Sequence, residues 1–126
     1  MWTPLQDPCQ VAFYEEMNRE SSAPGEDWQP MVRAVQYLQS RDYAPLLFAF
    51  TSLAHFQVTT APSYAECERH HYVGITWAYA ERLFYLRYFT KGWTSERAPD
   101  RDCTEADFPA VVDAFVRRLL LQSPQP

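Results

Sequence analysis

Hydrophobic positions along this chain change period twice, from helical to alternating and back to helical. Near the start, Cys9, Ala12, Phe13 and Met17 fall on one stripe at helical spacing. Asp7-Pro8 precedes them, and this is a good helix start: the carboxylate can cap free N–H groups and proline is pre-shaped for the first turn. A second helix is predicted from Asp27, with Trp28, Met31, Val32, Val35 and Leu38 on its apolar side and Pro30 in the first turn, where a missing N–H costs nothing. The third is the most regular. Phe108, Val111, Val112, Phe115, Val116, Leu119 and Leu120 keep i, i+3, i+4, i+7 spacing, with Asp107 placed to cap it and Arg117 and Arg118 near its negative end.

Between the second and third helices the period drops to two. In "HFQVTT", Phe56 and Val58 take one face and His55, Gln57 and Thr59 the other. "LLFAFT" before it fits a short strand or a helix started by Pro45, and the β-propensity of its neighbours favours the strand. "HYVGITWAYA" and "RLFYLRYFT" form a hairpin around Ala80-Glu81. Without an Asn-Gly or Gly pair a two-residue turn is disfavoured, and a four-residue loop pairs Ala78 with Leu83. Val73, Ile75 and Trp77 then face Tyr88, Leu86 and Phe84, while Tyr72, Gly74 and Thr76 face Phe89, Arg87 and Tyr85. A three-residue loop would set Arg87 against Ile75 and bury a charge in the apolar face.

Strands gathered in the middle of the chain, with helices before and after, indicate an α+β fold. The expectation is one domain over residues 1–126: an antiparallel sheet of three to four strands, packed against two N-terminal helices and one C-terminal amphipathic helix. The helices should cover the face carrying Phe56, Val58, Val73, Ile75, Trp77, Phe84 and Leu86. "ESSAPGED" and "TSERAPDRD" are loops by composition, and residues 122–126 a frayed tail.

Composition narrows the functional classes. A net charge of −5 argues against a nucleic-acid binder, which usually shows a basic stripe. It favours a basic protein as partner, if charge guides the encounter. No apolar run is long enough for a membrane span, and "MWTPLQDPCQ" lacks the basic and apolar regions of a secretory signal. Cys9, Cys67 and Cys103 are odd in number and far apart, so neither a disulfide framework nor a zinc knuckle is suggested, and a reducing cytoplasm is the simplest compartment.

Candidate chemistry concentrates in "CERHHY". Cys67, His70 and His71, with Glu66 and Glu68, are good ligand types, but neighbouring strand residues point to opposite faces, so the two histidines are not expected to share an ion. Ser52 lies near His55, yet no G-x-S-x-G elbow holds it, and Cys67 beside His70 has no third orienting group. The Glu15-Glu16 pair does not share a helix face, and Gly25, Gly74 and Gly92 are too scattered for a phosphate loop. No cofactor or metal is expected, and no catalytic set stands out.

A surface is the better candidate. The sheet face opposite the core should carry His55, Gln57, Tyr72, Thr76, Tyr85 and Arg87, with His70 at its margin. Tyrosine and arginine are enriched at binding hot spots, and Gly74 opposite Arg87 leaves a shallow gap over which the guanidinium could lie, or into which a partner could press. The expected role is a small acidic binding protein, of the inhibitor or immunity type, engaging another protein through this face, with a homodimer as a further possibility. The alternative is a small-molecule binder or small enzyme with a pocket between sheet and helices that uses His55, His70 or Cys67.

Overall fold

The computed structural model describes residues 2–52, 55–90 and 99–122. Among them, six strands and three α-helices follow the order β1 (Trp2–Pro4), α1 (Cys9–Glu20), α2 (Gln29–Ser40), β2 (Phe48–Ser52), β3 (His55–Thr59), β4 (Tyr72–Ala78), β5 (Leu83–Phe89), β6 (Arg101–Cys103) and α3 (Phe108–Gln122). The strands form one antiparallel sheet whose spatial order is the chain order. Two 3-10 segments, Ala44–Leu46 and Tyr64–Arg69, precede β2 and β4. The α+β class with helices flanking an antiparallel sheet holds.

The central hairpin has the register that the hydrophobic pattern requires: Ala78 pairs with Leu83, Trp77 with Phe84, and so on to Tyr72 with Phe89. Tyr79 to Arg82 make the four-residue loop, and Arg82 takes the left-handed conformation (φ 56°) that closes it. "LLFAFT" divides, with Leu46 ending a 3-10 turn and Phe48–Ser52 forming a strand.

The sheet is wider than the three to four strands expected. β1 and β6 were invisible to the pattern because each is three residues long, and they hold Pro4 and the Arg101-Asp102 pair rather than alternating apolar residues. Such short, charged or proline-bearing segments are typical of protected sheet edges. Their strand character comes from the neighbour they pair with. Residues 101 and 102 therefore belong to the sheet and not to the predicted loop, whose residues 94–98 lie outside the described set, as do tail residues 123–126. Gln122, placed in the tail, closes α3.

All three helices contribute to one core against one face of the sheet. Phe56, Val58, Val73, Ile75, Trp77, Phe84 and Leu86 are buried there together with Tyr14, Met31, Val35, Leu38, Val112, Val116 and Leu119. Asp7 Oδ1 accepts the Cys9 N–H at 2.9 Å and Asp27 Oδ1 the Gln29 N–H at 3.0 Å, so both expected starts are capped. The turn before α3 is held by Thr104, whose Oγ1 accepts the Asp107 N–H at 3.3 Å; the Asp107 carboxylate makes no cap.

The α1 stripe needs correction. Gln10 and Tyr14 are its buried positions, Cys9, Phe13 and Met17 are half-buried, and Ala12 is exposed. Gln10 can be buried because its amide donates to Thr3 Oγ1 at 2.7 Å and accepts from Thr51 Oγ1. Paired amides escape the desolvation penalty that makes glutamine a surface residue in a periodicity count. A second polar pin ties α3 to the turn after α2. Asp113, buried, accepts from Tyr37 Oη and Tyr43 Oη at 2.7 Å each and pairs with Arg41 Nη2 at 3.3 Å.

Candidate functional site on the second sheet face

Strand alternation sends every second side chain away from the helices, and register sorts these into three rows. Ser52, His55, Thr76, Tyr85 and Asp102 follow one another across the first. Trp2, Phe50, Gln57, Gly74 and Arg87 make the second, and Pro4, Phe48, Thr59, Tyr72 and Phe89 the third.

The third row is closed. Tyr72 is 2 % exposed and stacks on Phe89 at 4.5 Å. Residues 61–70 fold over this end: Trp2 Nε1 donates to the Ala61 carbonyl at 3.0 Å, the Trp2 and Tyr64 rings meet edge-on at 6.2 Å, and Ala61 and Cys67 are buried. Burial pushes the Tyr72 phenol upward, with the nearby Cys67 adding to the shift. Tyr72, expected among the contact residues, is therefore a packing residue. The expected gap at Gly74 is also taken. A Cβ there would lie 3.1 Å from Phe89 Cε2, so the Phe89 ring, not the Arg87 guanidinium, covers the glycine. Sequence spacing could not foresee this, because a ring that stacks on its cross-strand partner also overhangs the next row.

The first two rows are different. His55 is exposed, and Gln57, Thr76, Tyr85 and Arg87 are half-buried. His55 Nδ1 and Thr76 Oγ1 share a hydrogen bond of 2.8 Å across the strands. Partial burial, and then the charge of Arg87, hold the His55 imidazolium below its ordinary pKa, so the ring is neutral at pH 7. Arg87 Nε and Gln57 Oε1 flank Gly74 in one row, and both are buried atoms without a hydrogen-bond partner among the described residues. The register thus brings five of the six nominated residues together around an arginine that forms no ion pair among the described residues. Asp102 at one margin and Glu66 and Glu68 of the 3-10 segment at the other are exposed carboxylates. Trp2 and Asp102 belong to this surface and carry no sequence signal, since only the pairing of β1 and β6 with the sheet puts them there, whereas Phe50 reaches it through the pairing of β2 with β3.

The residues considered for catalysis or metal binding do not converge. His70 Nδ1 bonds to Thr60 Oγ1 at 2.7 Å, whereas His71 Nδ1 bonds to Tyr88 Oη at 2.8 Å on the helix side. Burial lowers both imidazole pKa values. Ser52 faces His55 in the register, but the imidazole is bonded to Thr76 instead. Among the described residues no three His, Cys, Asp or Glu side chains are grouped as a metal site would require. His55, His70 and Cys67 are not among the residues that line the hollow between α2, α3 and the sheet. That hollow, of about 200 Å³, is lined by Pro30, Ala34, Tyr37, Phe84, Phe108 and Pro109, with the Arg33–Glu105 ion pair at its side.

Among the described residues no helix is long and apolar enough to cross a membrane. Comparison with protein-family models, with curated proteins and with solved structures finds no match to this chain.

Proposed function

We propose that this protein is a non-catalytic binding module that engages a partner protein through the open rows of its second sheet face, in a cytoplasmic setting and in the manner of an inhibitor or immunity-type protein. The observation that carries the proposal is the half-buried Arg87, which forms no ion pair among the described residues and stands in one row with Gly74 and Gln57, beside the row that holds Tyr85 and His55. An arginine without an ion pair gains a charge-assisted hydrogen bond from a partner that supplies a carboxylate or carbonyl to its guanidinium. Tyr85 adds aromatic area beside Arg87, the usual companion of arginine at the energetic centre of an interface. The acidic margin of Asp102, Glu66 and Glu68 supports a partner that is basic around the contact and presents a carboxylate or carbonyl to Arg87.

The test is quantitative capture of the partner by tagged wild type and by a Tyr85→Ala/Arg87→Ala double variant. Both side chains are half-exposed, so the double variant should keep its circular dichroism and melting midpoint while losing capture about a hundredfold or more, as expected for two hot-spot residues. Undiminished capture by a folded double variant would sink the proposal.

A further inference from the structure

A second hollow lies where the chain turns out of α2. Arg41, Asp42, Tyr43 and Leu46 from that turn, with Arg117 and Leu120 of α3, line a hollow of about 320 Å³. This is the lower end of the size range of small-molecule sites. Asp113, Arg117 and Leu120 stand at i, i+4 and i+7, so the helix presents them on one face.

The cations and anions of this hollow are not equivalent. Arg41 is held firmly: its Nη2 pairs with Asp113, and its guanidinium carbon lies 5.3 Å and 5.9 Å from the ring centres of Tyr37 and Tyr43. Its Nε has no hydrogen-bond partner. Arg117 and Asp42 are exposed, and neither is in an ion pair among the described residues. Two opposite charges on one hollow gain by meeting, yet these stand on separate elements and do not pair. Leu46, 61 % exposed, and the half-buried Leu120 line the same hollow and offer apolar walls.

We infer that this hollow binds a zwitterionic small molecule with an apolar side chain, of the α-amino-acid class. Its carboxylate meets Arg117 and the fixed Arg41, its ammonium meets Asp42, and its side chain lies on Leu46 and Leu120. An anion alone would leave Asp42 unpaired, and a cation alone would leave Arg117 so, since Arg41 already pairs with Asp113. Only a ligand with both charges satisfies the walls together.

The probe is L-leucine, titrated into the isotopically labelled full chain and followed by amide chemical shifts. Two analogues dissect the charges: 4-methylpentanoate lacks the ammonium and leucinamide lacks the carboxylate. L-Leucine should give saturable shifts confined to residues 41–46 and 117–120, and each analogue should bind about tenfold more weakly, the worth of one charged hydrogen bond. Arg117→Gln should weaken L-leucine by a similar factor. Asp42→Asn should weaken L-leucine yet leave 4-methylpentanoate at least as tight as before. Because both substituted side chains are exposed, unchanged spectra elsewhere will verify the fold. Absence of saturable shifts at those amides, equal affinity for all three compounds, or indifference to both substitutions would overturn the assignment.

Discussion

On the helix side of the sheet Phe56, Val58, Val73, Phe84 and Leu86 are wholly buried, and one residue further along the same strands His55, Gln57, Tyr85 and Arg87 keep access to solvent. Three helices cover the first face. Among the described residues the second is closed at one end, by residues 61–70 and by the stack of Tyr72 on Phe89. The difference teaches that alternation assigns a side chain to a face, but the cover over that face decides whether the side chain packs or binds. Tyr72 and Tyr85 make the point, since they are the same residue type on the same face, one buried and one half-exposed.

Substitutions can break this comparison. Phe84→Ala should be the most damaging, because its ring lies 4.7 Å from Trp77 and 4.4 Å from Phe108, joining sheet to α3. A loss of about 3–5 kcal/mol is expected in denaturant unfolding. On the second face Tyr72→Ala should cost about 3 kcal/mol, as a packing residue does. A Tyr72→Ala loss no larger than that of Tyr85→Ala would erase the distinction between closed and open rows.

Gly74→Ala sharpens it with a smaller perturbation. The added methyl must displace the Phe89 ring, so about 1–2 kcal/mol of stability should be lost, with the aromatic resonances of Tyr72 and Phe89 shifting together. Unshifted rings would mean that Phe89 does not cover the glycine.

The smallest effect is that of pH. Burial lowers the pKa of His55, His70 and His71 in the folded chain, so between pH 7 and pH 5 the unfolded state takes up more protons. Stability is then fully present above the ordinary histidine pKa of about 6.5 and declines as pH falls, levelling off below the folded values. The melting midpoint should therefore be lower at pH 5 than at pH 7. His70→Gln should flatten part of that slope, since His70 is the most buried of the three, at 9 % exposure. A midpoint that rises on acidification would contradict the assigned direction.

Much of this architecture is legible from the chain alone where periodicity is long. The seven apolar positions of α3 and the seven-pair register of β4 with β5 follow from spacing and from the cost of burying Arg87. Shorter or polar elements are not legible. β1 and β6 have no pattern of their own, and Gln10 is buried against the trend of its residue type because Thr3 and Thr51 arrive from distant segments to pair with it.

The candidate face divides in the same way. Sequence determined which residues of β3, β4 and β5 share it, because alternation and register are local properties of backbone geometry and side-chain polarity. Only the tertiary structure decided that Tyr72 is covered, that Phe89 occupies the space over Gly74, and that Arg41, Asp42 and Arg117 surround a common hollow. Each of these depends on where another segment of the chain comes to rest, and pairwise packing of that kind leaves no periodic trace in the order of the amino acids.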